Sequence, residues 1–244
     1  YWRPWNEIDL LFKKKINAED VYYADGHHSV STSNYRSILN FTRVSKQYPK
    51  KCRNPKGHTC QRTRLPSTGI MGDKMVDTYT MLPTSPNVVG FNERKRNGEI
   101  AGRNLLMMLN EIPNRSDNDT LYLVVHSMGY AYALGMMEEL RGKIRFGGFY
   151  IIAPENASQG KVNPYEWQEV RQYGSRWNSK EKEAPCLQDG VAPQTKVKGL
   201  KETDRAYIPE NYYRKKGFFD AHFVGNYTWI FKLKEDERGY IRQR

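Results

Sequence analysis

Leu121 to Leu140 reads LYLVVHSMGYAYALGMMEEL, and its pattern changes in the middle. Leu121, Leu123, Val124 and Val125 follow the polar loop Asn114 to Thr120, and an apolar run of that length is the mark of a short strand buried on both faces. From Tyr130 onward the reading is helical. Gly129, Ala131, Ala133 and Gly135 keep the first turns thin, so that the helix is expected to lie close to a sheet, and Gly142 stands just past Leu140 where a helix end needs it. Between the two elements, His126-Ser127-Met128-Gly129 leaves room only for a tight junction. A serine held there has its hydroxyl pushed out at the strand's carboxyl end, beside helix amides that can donate to a developing oxyanion.

Working outward, Phe146 to Ala153 is the next buried strand, and strand, helix, strand with short links is the unit of a parallel sheet. Upstream, Ile100, Ala101, Leu105, Leu109 and Ile112 recur at helical spacing until Pro113. Val21 to Ala24, β-branched and aromatic, reads as a third core strand, and the loop Asp25-Gly26-His27-His28-Ser29 leaves it. A peripheral helix is expected over Glu7 to Lys15, with Leu10, Leu11 and Ile16 as its apolar contacts. A second is expected over Ser33 to Val44. Met75 to Tyr79 and Asn87 to Phe91 read as short strands in a proline-containing rim.

Composition limits what the chain can be. Its 244 residues suffice for one domain with a full core. With 38% hydrophobic residues and a mean hydropathy of −0.82, that core must be concentrated in a few strands. No stretch approaches the apolar length of a membrane span, which predicts a soluble protein. The start at Tyr1 instead of Met suggests a piece of a longer chain or a processed form. Net charge is +12, and Arg43 to Arg64 holds eight Lys or Arg and no acid. With Pro49, Pro55 and Gly57 in it, the segment from about 43 to 68 is expected to be a basic loop insertion. Residues 43–64 would attract anionic lipid headgroups transiently; no nucleic-acid module accompanies the charge, so nucleic acid is not expected.

Three cysteines exclude a disulfide-built scaffold. Cys52 and Cys60 could pair, or join His58 at a metal, but no second ligand pair follows, and no metal or other cofactor is expected. Asn-x-Ser/Thr sequons begin at Asn40, Asn114, Asn118, Asn156 and Asn226. Two lie beside candidate site residues, which disfavours a eukaryotic secretory route.

Val125-His126-Ser127-Met128-Gly129 resembles the G-x-S-x-G nucleophile elbow of the α/β-hydrolase superfamily, in the H-S-M-G form of lipases and esterases, with Val125 where the family carries glycine. The resemblance implies an α/β fold of α/β-hydrolase type, a mostly parallel central sheet with helices on both faces, as a single domain over residues 1–244. It also implies the chain order serine, acid, histidine. His222 is the only histidine after His126, and Phe218 to Phe223 looks like the family's histidine loop, leading into a final helix over Phe223 to Leu233. His126 adjoins the nucleophile and should point elsewhere. For the acid, Asp189 in Gln188-Asp189-Gly190-Val191-Ala192-Pro193 resembles the D-G-x-V-P type sequence of lipases and is preferred. Glu155, directly after the strand ending at Ala153, is the alternative.

The expected activity is therefore that of a serine esterase or lipase. Ser127 attacks a carboxylic ester, lipid or phospholipid, His222 takes the proton, and Asp189 orients the imidazole. The oxyanion would be held by amides at Met128 and at Gly26 or His27. Similarity is nearest to bacterial lipase-like proteins, some of which are effector domains of larger exported chains. The other readings are a non-catalytic binding module on the same fold and a hydrolase of thioesters or peptides.

Overall fold

The computed structural model describes residues 7–24, 60–65, 76–81, 88–112, 116, 118–174, 196–209 and 222–243, with 60–65 and 76–81 described as backbone. Helix α1 (Ile8–Ile16) is followed by strands β1 (Cys60–Leu65) and β2 (Val76–Met81) and by helix α2 (Val88–Glu111). Strand β3 (Thr120–His126), helix α3 (Gly129–Leu140) and strands β4 (Arg145–Ile152), β5 (Glu169–Gly174) and β6 (Arg205–Tyr207) complete the α-helices and strands of the described residues. Strands β3 to β6 form one sheet in chain order, and every pairing in it is parallel. β1 and β2 form a separate antiparallel ribbon, Cys60 opposite Met81 and Leu65 opposite Val76. Within the basic segment, Cys60–Leu65 is thus strand and not loop.

The sheet has an apolar layer on each face, and the alternation of side chains along β4 divides them. Phe149 and Ile151 pack with Val125, Trp167 and Val170 against α2 and α3. Tyr150 and Ile152 pack with Tyr173 and Ala206 against α1 and a run of 3₁₀ turns from Val224 to Lys232. This is an α/β sandwich with helical structure on both faces. Among the described residues, no helix is long and apolar enough to cross a membrane.

Helix α1 buries Ile8, Phe12 and Ile16, one residue per turn. Leu10, expected among its contacts, faces outward with 61% of its surface exposed. Three lysines, Lys13 to Lys15, occupy the last turn, and Asn17 ends the helix at φ 53°, a left-handed conformation that asparagine tolerates well. Val21 to Ala24 is no strand. The segment is irregular, its Tyr22 and Tyr23 are exposed, and the Tyr23 hydroxyl donates to Asp9 Oδ2 at 2.5 Å. β-Propensity describes a fit to a half-buried pleated surface, and no strand of the described sheets pairs with this segment.

Asn87 to Phe91 likewise departs from expectation: α2 already starts at Val88. Phe91 lies one face of that helix away from solvent and meets Tyr130 with ring centroids 6.1 Å apart, so tertiary burial overrides the β-branched pair at its start. The expected final helix is present as 3₁₀ turns, Val224–Lys232, with Val224, Tyr227, Trp229 and Ile230 buried.

Of the small residues of α3, Gly129 has Val125 of β3 as its nearest neighbour, whereas Gly135 serves a different contact from the one expected. A Cβ built on Gly135 would sit 1.9 Å from the carbonyl oxygen of Lys95, and one on Gly98 would sit 1.9 Å from that of Tyr132. Gly135 therefore faces α2 and not the sheet, and Gly98 and Gly102, one turn apart on α2, face back. The two helices touch main chain to main chain, an approach that glycine alone permits.

Candidate active site

The site is built from the carboxyl ends of β3 and β4 and from the segment that begins at His222. β3 ends at His126, and the chain turns through Ser127 and Met128 into α3. Ser127 has φ 59°, a left-handed conformation costing an L-residue roughly 1–2 kcal/mol. The surrounding hydrogen bonds hold it there. Its amide donates to the Ile152 carbonyl at 3.0 Å, and its own carbonyl accepts from the amides of Tyr130 at 3.2 Å and Glu155 at 3.4 Å. Strain that neighbours enforce at a strand end is characteristic of functional turns. Val125 stands where the elbow motif has glycine, and a Cβ added at Gly129 would lie 3.8 Å from the Val125 Cβ, an ordinary contact.

β4 supplies the carboxylate. After Ile152, Ala153 and Asn156 both adopt positive φ, 44° and 51°, and the Ala153 amide is tied to the Tyr173 carbonyl at 2.8 Å. This bent segment brings Glu155 back over the elbow, where Ser127 Oγ donates to its Oε1 at 2.8 Å. Glu155 is only 9% exposed. The amide of Asn156, itself buried, contacts Met128 Sδ at 3.6 Å, so the carboxylate loop and the start of α3 are joined on both sides of the serine.

His222 comes from the segment just before the 3₁₀ run. Its Nε2 lies 2.9 Å from Ser127 Oγ and 3.5 Å from Glu155 Oε1. Hydroxyl, carboxylate oxygen and imidazole nitrogen thus form a compact triangle, and the serine's single proton has two acceptors in reach. If it points to Glu155, Nε2–H of His222 donates to Oγ; if it points to His222, that nitrogen is the base. Here the carboxylate faces the imidazole nitrogen that also faces the serine. Its negative charge is placed to stabilise an imidazolium formed at that spot.

Of the residues expected from sequence, Ser127, His222 and Glu155 come together, and Met128 opens α3 beside them. Among the described residues, the Met128 amide donates to no backbone carbonyl, as expected at a helix start. Asp189, Gly26 and His27 lie outside the described residues, as do Cys52 and His58; Cys60 is in β1. A cleft of about 400 Å³ lined by Arg141, Arg145 and Tyr165 lies at the opposite end of β4 and holds none of the site residues.

One contact of the site goes beyond the sequence reading. The His126 Nε2–H donates to the main-chain carbonyl of His222 at 2.6 Å. Loss of water on burial, and next the nearby His222, push the His126 pKa down to about 3, so the ring is neutral at ordinary pH. A histidine ending a strand carries no sequence signal for a partner 96 residues on. No protein-family model matches the chain, and no curated protein or solved structure matches it.

Proposed function

We propose that the chain is a serine hydrolase of the lipase or esterase type, on an α/β-hydrolase-like fold, cleaving carboxylic esters through an acyl-serine. The observation that carries this reading is the strained Ser127 at a strand-to-helix turn, with Oγ 2.9 Å from His222 Nε2. An ordinary serine is a poor nucleophile at neutral pH and needs a base at this distance.

In the reaction, Ser127 Oγ bonds to the ester carbonyl carbon while its proton passes to His222 Nε2. The carbonyl oxygen becomes an oxyanion, and the amides at the start of α3, Met128 first, are its donors. A second donor from Gly26 or His27 belongs to the same proposal. As the tetrahedral centre collapses, His222 returns the proton to the departing alkoxide. Water then adds to the acyl-serine with His222 again as base, releasing the acid and restoring Ser127. Glu155 is the carboxylate in contact with this machinery, and its charge lowers the cost of the imidazolium. Asp189 is the rival for that role. The strong positive charge of residues 43–64 favours a lipid substrate presented on an anionic surface.

Labelling with a fluorophosphonate probe tests the reading on the native protein and on Ser127→Ala, Glu155→Gln and Asp189→Asn. Labelling of the native chain that vanishes in Ser127→Ala is expected. Glu155→Gln is expected to slow it at least tenfold and Asp189→Asn to leave it little changed; the reverse ranking would transfer the acid's role to Asp189. A native protein inert to the probe, beside a lipase that labels, would refute the proposal. Hydrolysis of phospholipid vesicles should then run faster when anionic lipid is included.

A further inference from the structure

We infer that His126 is a positioning residue, whose ring holds the main chain of the histidine segment so that the His222 side chain meets Ser127. The inference rests on the serine-hydrolase reading and adds a residue to it. His126 Nε2–H donates to the His222 carbonyl at 2.6 Å, while His222 Nε2 lies 2.9 Å from the hydroxyl of Ser127. Two consecutive residues therefore grip His222 at two points, one on its backbone and one on its ring. The rings of the two histidines are 4.8 Å apart and inclined by 50°, so the His126 ring also limits how far that of His222 can tilt.

The rest of the segment is anchored elsewhere. The 3₁₀ turns that follow are secured by Val224, Tyr227, Trp229 and Ile230 in the apolar layer shared with α1, on a face of the sheet and not at its edge. That anchorage sets where the segment runs; the His126 bond joins its first described residue to the strand that carries the nucleophile. Neutrality suits the task. His222 becomes an imidazolium in each half-reaction, and a lysine or arginine in the place of His126 would donate equally well but would add a second positive charge beside it. A buried neutral imidazole donates without that cost, and the tautomer with hydrogen on Nε2 is fixed by the carbonyl, which can only accept.

Two variants separate the hydrogen bond from the space the ring fills. His126→Phe keeps a ring and removes the donor. His126→Gln returns an N–H near the position of Nε2. Each is compared with the native protein by kcat and KM on a soluble nitrophenyl ester and by the rate of fluorophosphonate labelling, with circular dichroism confirming the fold. His126→Phe is expected to lower kcat and the labelling rate together, roughly tenfold to a hundredfold, because small displacements of a catalytic group cost that much. KM should stay within about twofold, and His126→Gln should recover most of the loss. If His126→Phe does not fold, His126→Asn, whose amide falls short of the carbonyl, takes its place against His126→Gln. A donorless variant with native kcat, or a folded His126→Gln no faster than it, would overturn the inference while native labelling left the hydrolase reading standing. A native protein that does not label would overturn both.

Discussion

Replacing Gly135 by alanine puts the contact between α2 and α3 to a direct test. In an open helix the change is favourable by about 1 kcal/mol, since alanine is the better helix former. At Gly135 the added Cβ would stand 1.9 Å from the Lys95 carbonyl oxygen and 2.8 Å from the Glu99 nitrogen. Both are main-chain atoms of a regular helix, so no side chain can swing away. Reaching even the 3.4 Å of ordinary contact requires the helices to part by about 1.5 Å, which would loosen the layer of Phe91, Tyr130, Leu134 and Met137 between helices and sheet. Overpacking of this kind costs about 1–3 kcal/mol, and an obstruction made of backbone belongs at the upper end. The net expectation is a loss of about 2 kcal/mol, or roughly 4–8 °C in Tm for a chain of this size. Denaturant unfolding of Gly135→Ala should be read beside Gly129→Ala, where the nearest atom is Val125 Cβ at 3.8 Å and little or no loss is expected. A Gly135→Ala protein as stable as the native one would refute the main-chain contact.

Ser127→Gly should unfold later than Ser127→Ala by up to about 1 kcal/mol in urea, because φ 59° costs alanine more than glycine; the opposite order would mean the turn is unstrained. His126, with its pKa lowered from 6.5 to about 3, makes stability pH-dependent. Between those values the unfolded chain takes up a proton that the folded protein does not, so stability should fall on acidification from pH 6.5 by up to about 1.4 kcal/mol per unit. Urea midpoints at pH 6.5, 5.5 and 4.5 should show a shallower fall in His126→Gln; equal slopes would count against a neutral buried ring. Phe12 is 2% exposed and meets Tyr150 and Phe231 at 5.1 and 4.9 Å between ring centroids. Phe12→Ala should therefore cost about 3–5 kcal/mol, and a cost under 1 would show that α1 is not fixed to the sheet.

The central unit of the fold was legible because one short stretch contains a change of period, from the compact apolar run of β3 to the helical spacing of α3, around a serine and small residues. Phe146 to Ala153 was legible for the same reason: a strand buried on both faces is apolar at nearly every position. Val21 to Ala24 and Val88 to Phe91 misled because a brief β-branched or aromatic cluster carries no period of its own, and only the surrounding contacts decide its state. Gly135 of α3 announced a close approach but not its partner, since Gly98 and Gly102 of α2 became meaningful only when α3 lay across them. At the site, chain order brought out Ser127 and His222. The ranking of Asp189 over Glu155 rested on family likeness; the left-handed bends at Ala153 and Asn156, which return Glu155 to the elbow, follow from tertiary hydrogen bonds that no local pattern encodes.

The dispersal of the site along the chain has a consequence in time. Ser127 and Glu155 are 28 positions apart, at the two ends of one helix-strand connection. His222 is 95 positions beyond the serine, and it follows Glu155 by 67. At about 5–20 residues per second of synthesis, about 3–13 s pass between the addition of Glu155 and that of His222. On the proposed reading the base is therefore the last of the three groups to be made, and a chain interrupted before His222 carries the serine and the carboxylate without it.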